Sequence, residues 1–149
     1  MAVNPQELVG QVCGRVRDFA DTKDVDIVLD CICRQAYVHP QTFSEALYEL
    51  LDNAVRATRR HHPVMVDVRN TSEGDVLWQI QDTGEGIPEK ILAELGQPLP
   101  AISEVGPGLG VAFAWAVVEK HGGLLRFESA PGVGTTATIW LPCTPLSRC

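Results

Sequence analysis

The chain has 149 residues, 45% apolar and 21% charged, which suits one globular domain with a single core and excludes a disordered chain. Its formal net charge of −7 argues against a nonspecific nucleic-acid binder, which needs a basic surface for phosphates. The longest apolar run, Val111 to Val118, is far short of the roughly 20 residues that cross a bilayer, and no charged-then-apolar signal opens the chain, so a cytoplasmic segment without membrane contact is expected.

In chain order, Asn4-Pro5 reads as an N-cap followed by proline at the first helical position. Leu8, Val9, Val12, Val16 and Phe19 then recur at helical spacing, predicting a helix to about Ala20. Val25 to Cys33 alternates as a strand does, and Ala36-Tyr37-Val38 adds a short second strand. Thr42-Phe43-Ser44-Glu45 has the form of a capping box. The apolar stripe Phe43, Ala46, Leu47, Leu50, Leu51 and Ala54 carries that helix to about Arg60.

Val64 to Val68 and Val76 to Ile80 read as strands joined by the turn Ser72-Glu73-Gly74-Asp75. Pro88 to Leu95 predicts a short helix stopped by Gly96, and Gln97 to Gly108 a loop. Leu109 to His121 is apolar almost all round and predicts a mostly buried helix ended by Gly122-Gly123. Leu124 to Ser129 and Thr136 to Leu141 predict a last strand pair around Pro131-Gly132-Val133-Gly134. Together these elements predict a two-layer α/β sandwich, a mixed sheet of about five strands with helices on one face. The cysteines Cys13, Cys31, Cys33, Cys143 and Cys149 are odd in number and lack zinc-finger spacing, so free thiols are expected.

Asp82-Thr83-Gly84 after an apolar strand fits half of an aspartic protease. The helices, and a charged Glu85 where a small residue is wanted, argue against that. The same Asp82 at a strand end can accept a hydrogen bond from an exocyclic amine, and Gly84 and Gly86 let the backbone pass close to a flat ring. A plain turn with an Asp cap is the alternative. On the central helix, Glu49, Asn53 and Arg56 fall together away from the apolar stripe. Asn53 offers magnesium a hard oxygen ligand, Arg56 can meet a phosphate, and Glu49 can orient or deprotonate an attacking group. A solvated polar face explains the same three residues. Gly106-Pro107-Gly108-Leu109-Gly110 opens a helix and leaves bare amides where phosphates bind. Gly132-Val133-Gly134-Thr135 is either a glycine hairpin or a turn that brings the Thr135 hydroxyl to a base.

The order of these four motifs resembles the GHKL ATPase superfamily, which has the Bergerat fold, over about Val25 to Pro142. Within it, "ELLDNAVRAT" and "VVEKHGGLLRFESAPGVGTTATIWLP" look most like the catalytic, ATP-binding domain of bacterial sensor histidine kinases. The resemblance implies ATP and magnesium as cofactors, with Asn53 on the metal and Asp82 on the adenine amino group. It places Gly84 and Gly86 beside the ring, Gly106, Gly108, Leu109 and Gly110 near the phosphates, Thr135 near the base and Arg56 near a phosphate.

It further implies transfer of the γ-phosphoryl group to a histidine outside this segment, on the dimerisation and phosphoacceptor domain of its own kinase, and from there indirectly to a response regulator. Residues 1–22 would lead in from that dimerisation region, and 87–105 would form the ATP lid. The chain departs from the pattern in three places. Glu49 stands where many histidine kinases carry Asn and where hydrolysing ATPases and anti-sigma serine kinases often have Glu. The lid has Leu99 for a usual Phe and no Lys for the γ-phosphate. His39, His61, His62 and His121 do not sit as a substrate histidine would, and His121 at a helix end favours a cation. An anti-sigma-type serine kinase and a binding module with little turnover remain as alternatives.

Overall fold

Asn4 has extended backbone, and its side-chain Oδ1 accepts from the N–H groups of Gln6 and Glu7, 3.0 and 3.3 Å away. This satisfies two of the donors that a helix start leaves open. The computed structural model describes residues 1–84 and 108–142. Within them the elements are β1 (Ala2–Val3), α1 (Pro5–Thr22), β2 (Asp26–Cys31), β3 (Ala36–Tyr37), α2 (Pro40–Ala57), β4 (Pro63–Asn70) and β5 (Val76–Gln81), then α3 (Gly108–Lys120), β6 (Leu124–Ala130) and β7 (Gly134–Leu141).

Five strands form one mixed sheet in the order β2-β4-β5-β7-β6. β2 runs parallel to β4, pairing Ile27 with Val64, and every other neighbour is antiparallel. β1 and β3 form a separate two-stranded ribbon, Ala2 opposite Tyr37. Alternation sorts the sheet faces. Val64, Val66, Val68, Val76, Trp78, Ile80, Ala137, Ile139 and Leu141 are buried toward the helices, while Val28, Met65 and Leu124 are exposed on the far side. The two-layer sandwich with helices on one face is the architecture of the chain.

The central helix is α2, packed between α1 and α3. It buries Phe43, Ala46, Leu47, Leu50, Leu51, Ala54 and Val55, a stripe at helical spacing. Phe43 meets Trp78 edge-on with centroids 4.8 Å apart, a contact worth about 0.5–1.5 kcal/mol beyond the area it buries. This contact sets α2 on the middle of the sheet.

Three sequence expectations are corrected. α2 begins at Pro40, not at a capping box on Thr42. His39 is the N-cap, its Nδ1 facing the Thr42 N–H at 3.5 Å and the Thr42 hydroxyl at 3.2 Å. Glu45 instead pairs with Arg15 at 2.7 Å, across to α1. Second, His121 does more than sit at a helix end. Its Nδ1 lies 2.8 Å from Val117 O and its Nε2 accepts from the His39 N–H at 3.0 Å, so the ring joins the end of α3 to the start of α2. Third, α3, expected to be mostly buried, is buried on one side. Ala112, Ala114, Val117 and Val118 are buried but Phe113 is 42% exposed, because among the described residues α2 and the sheet cover one side.

The thiols of Cys13, Cys31 and Cys33 are free. No helix among the described residues is long and apolar enough to cross a membrane. The short helix and lid expected between residues 87 and 105, together with Gly86, Gly106, Cys143 and Cys149, lie outside the described residues.

Candidate functional site

β5 ends at Gln81, and the chain goes on to Asp82, which is 8% exposed. Its backbone N–H donates to Thr135 O at 2.8 Å, so Asp82 extends the β5–β7 ladder by one pair. One carboxylate oxygen, Oδ1, accepts from the N–H groups of Gly84 (2.9 Å) and Thr135 (3.0 Å). The other, Oδ2, has no hydrogen bond among the described residues. Burial pushes this carboxyl above its usual range, and the two backbone donors pull it part of the way back. The side chain is thus a fixed acceptor with one oxygen unpaired among the described residues.

The turn around it is tightly packed. A Cβ on Gly84 would strike the carbonyl oxygen of Ala57, the last residue of α2. The need for glycine there comes from the protein's own backbone. Gly134, at φ +145°, passes so close to Asp82 O that only glycine fits both the space and the conformation. Thr58, which caps α2 and is 1% exposed, accepts from the Thr83 N–H at 3.4 Å. The hydroxyl of Thr83 is buried without a partner among the described residues.

At the other end of α2's polar stripe, a Cβ on Gly110 would strike Glu49 Oε1. Glu49 therefore lies against the first turn of α3, whose backbone N–H groups favour negative charge. Asn53 sits one turn on, half-buried, its carboxamide without a hydrogen bond among the described residues. Glu49, Asn53 and Ala57 follow one another at intervals of four residues. The stripe touches the opening of α3 at Gly110 and the Asp82 turn at Gly84, with Asn53 about 6 Å along the axis from each. No cluster of three metal-ligating side chains stands among the described residues. Magnesium does not need one, because it keeps waters and phosphate oxygens and takes few protein ligands. A single hard carboxamide oxygen with no other partner fits it.

The expected residues thus divide. Glu49, Asn53, Asp82, Gly84, Gly110 and Thr135 are placed along this one stripe and turn. Arg56 is not. Its Nε donates to Asp52 Oδ2 at 2.8 Å, and its guanidinium lies over the Phe19 ring at 4.8 Å, which turns it toward α1. Gly108 opens α3, while Leu109's side chain, Gly86 and Gly106 lie outside the described residues.

Sequence reasoning missed four supports. Lys23 Nζ donates to the carbonyls of Val55 (2.9 Å), Arg56 (2.7 Å) and Thr58 (2.9 Å), closing the C-terminus of α2. Arg59 donates to Gly132 O at 3.1 Å, tying the same helix end to the β6–β7 turn. Thr58 and Ser129 brace the Thr83 and Gly134 backbones, the neighbours of Asp82 and Thr135. None of these has a local signal except Thr58, a small polar residue directly after a helix.

The chain belongs to the histidine kinase-, DNA gyrase B-, and HSP90-like ATPase family, whose pattern matches residues 38–145. Within that family its kind is the ATP-binding catalytic domain of histidine kinases. It is 38% identical over 110 residues to the circadian input-output histidine kinase CikA of Synechococcus elongatus, covering 69% of this chain and 14% of that protein. It superposes on the mycobacterial sensor histidine kinase MprB with a TM-score of 0.81 at 27% identity, covering 97% of this chain and 99% of that one. The catalytic domain of histidine kinase ThkA shares the fold, with a TM-score of 0.85 at 19% identity, covering 99% of this chain and 98% of that one. The chain thus spans about a seventh of the CikA sequence, 14%.

Proposed function

We propose that this domain binds ATP with magnesium along the stripe from Asp82 to the opening of α3, and transfers the γ-phosphoryl group to a histidine outside these residues. The observation that carries this reading is the stripe itself. It joins a buried acceptor at one end to a helix N-terminus at the other, with an unpaired carboxamide between them.

In this reading Asp82 Oδ2 accepts from the adenine amino group, and Thr135 lies beside the base. The Asn53 oxygen holds magnesium. Gly106, Gly108, Leu109 and Gly110 offer backbone amides to the phosphates, where the helix dipole favours them. Magnesium, when bound, neutralises charge on the phosphate oxygens. Glu49, against the first turn of α3, orients the acceptor group or takes its proton. Arg56 is left out of the phosphate contacts, since Asp52 and Phe19 already hold it. Gly84 and Gly86 would border the ring, with residues 87–105 as the lid. The acceptor histidine belongs to a dimerisation and phosphoacceptor domain of the same kinase, entered through residues 1–22. A response regulator would take the phosphate next, and the work would be cytoplasmic.

Two measurements test this. ATP binding to the native protein should tighten with magnesium, and Asn53→Ala should remove that dependence with the circular dichroism spectrum unchanged. A variant whose affinity still rises as steeply with magnesium would remove Asn53 from the metal. Labelled γ-phosphate should appear only on an added phosphoacceptor domain, stable to base and labile to acid. Acid-stable, base-labile label would mark a serine acceptor and overturn the histidine assignment.

A further inference from the structure

The sheet face turned away from the helices lies open among the described residues, with Ile32 70%, Leu124 53% and Met65 40% exposed. The ladder registers sort its outward side chains into rows that cross β2, β4, β5, β7 and β6 in turn. One row runs Asp30, Asp67, Gln79, Thr138, Arg126. The next runs Ile32, Arg69, Leu77, Trp140, Leu124, where Ile32 continues the line of β2 by donating its N–H to Val68 O at 2.9 Å. β5 is the middle strand, so Asp30 and Arg126 lie in one row at equal distances either side of it. Ile32 and Leu124 do the same in the next row, and so do Arg69 and Trp140. Neither Asp30 nor Arg126 forms an ion pair among the described residues, and Asp30 stands beside a second carboxylate, Asp67. Leu77, Trp140 and Leu124 border an open groove of about 440 Å³.

We propose that this face binds a second copy of the chain, sheet to sheet, about a two-fold axis along β5. Such an axis lays each half of the face on the opposite half of its partner, so the surface closes on itself only if its two halves are complementary. Packed sheets lie about 10 Å apart with their strands nearly aligned. Asp30 of each copy then meets Arg126 of the other, which makes two ion pairs. Ile32 meets Leu124 and enters the groove, Leu77 meets its own counterpart, and the Arg69 guanidinium lies over the Trp140 ring. In the remaining row Met65 covers Thr136, and Glu128, on an edge strand, keeps its carboxylate in water past Val28. The charged pair sits at the rim, where it fixes orientation, and the Leu77 row supplies the apolar area.

Five strands about 4.8 Å apart and three rows about 7 Å apart make a face of roughly 500 Å² per copy, at the low end of specific interfaces. The dimer is therefore weak, with a dissociation constant of roughly 10 μM to 1 mM. The helices of both copies stay on the outside, and the Asp82 stripe takes no part. Within one copy Asp30 and Arg126 are four strand spacings apart, about 19 Å, so any coupling between them acts between copies.

Sedimentation equilibrium of the whole 149-residue chain, over concentrations that bracket this constant, tests the proposal. The native chain should pass from monomer to dimer and no further. Asp30→Arg and Arg126→Asp, both at exposed positions, should each weaken self-association by about tenfold, because two attractive contacts become repulsive. Mixed one to one, the two variants should associate as the native chain does, since opposite charges then meet at both contacts. The double reversal in one chain should restore dimerisation too. Leu124→Glu should abolish it. A native chain that stays monomeric overturns the proposal, as do reversed chains that associate no better mixed than apart. Should a reversal fail to fold, unchanged association in Leu124→Glu overturns it.

Discussion

Asp82 is the residue where the proposed function and stability oppose each other. Burial raises its pKa in the folded chain above the unfolded value. The folded protein therefore holds a proton that the unfolded chain has already released. Stability from this group is present below the unfolded pKa and is lost as the pH rises through the raised one. Near neutrality the ionised carboxylate costs stability, although it is the form that accepts from an amine. Asp82→Asn keeps an oxygen for the Gly84 and Thr135 N–H groups and removes the buried charge. Thermal unfolding of this variant at pH 7 should come at or above the native temperature, and a clear fall would contradict the burial argument. In the native protein, nucleotide affinity should weaken on acidification, beginning above the range in which an ordinary aspartate takes up its proton.

Two glycines make a second contrast at this scale. Gly84→Ala forces a Cβ onto the Ala57 carbonyl, which cannot turn aside, and should cost about 1–3 kcal/mol in stability. Gly110→Ala meets the end of the Glu49 side chain, which can swing away. It should leave the melting temperature nearly unchanged while lowering phosphoryl transfer. Equal melting losses in the two variants would show that the difference in packing is not real. The sequence alone placed both glycines beside a ligand. What it could not show is that each is packed against α2.

At the scale of elements, α2 carries the site, and its C-terminus is held from outside. Three of its last carbonyls are met by one ammonium group, Lys23 from the loop after α1. Such charge-assisted bonds at a helix end are among the stronger ones available. Lys23→Met keeps the stem and removes the donors. It should destabilise the fold by about 1–3 kcal/mol and shift Asn53 and Ala57 relative to the Asp82 turn. Urea unfolding would measure the first effect. An unchanged midpoint would mean water replaces the lysine without loss.

Legibility varies with the range of the interaction. The stripe from Phe43 to Ala54 and the alternation of Val64, Val66 and Val68 are local periods, and both elements were readable from them. The start of α2 was misplaced because Thr42 and Glu45 match a capping box, while His39-Pro40 repeats the Asn4-Pro5 arrangement with an unusual cap. β1 and β3 are two residues each, too short for any period, so their pairing was invisible. Arg56 lies at the expected angle on the helix, but a single turn of ion pairing with Asp52 redirects it. Lys23, Arg59 and Ser129 act across distances in sequence that no local pattern encodes.

At the largest scale, one sheet face carries three helices among the described residues, and the candidate site runs along the middle one. Its two ends come from different parts of the chain, the Asp82 turn after β5 and the opening of α3. They meet the same helix because α2 is packed against the sheet centre through Phe43 and Trp78. The central claim is that Asp82 reads the adenine of a bound nucleotide. Calorimetric titration of ADP with magnesium into the native protein and into Asp82→Asn tests it most directly. The account predicts saturable one-to-one binding to the native chain and a loss of about 1–3 kcal/mol in the variant, the scale of one charge-assisted hydrogen bond. Equal affinities in the two proteins, or no binding to the native chain, would contradict it.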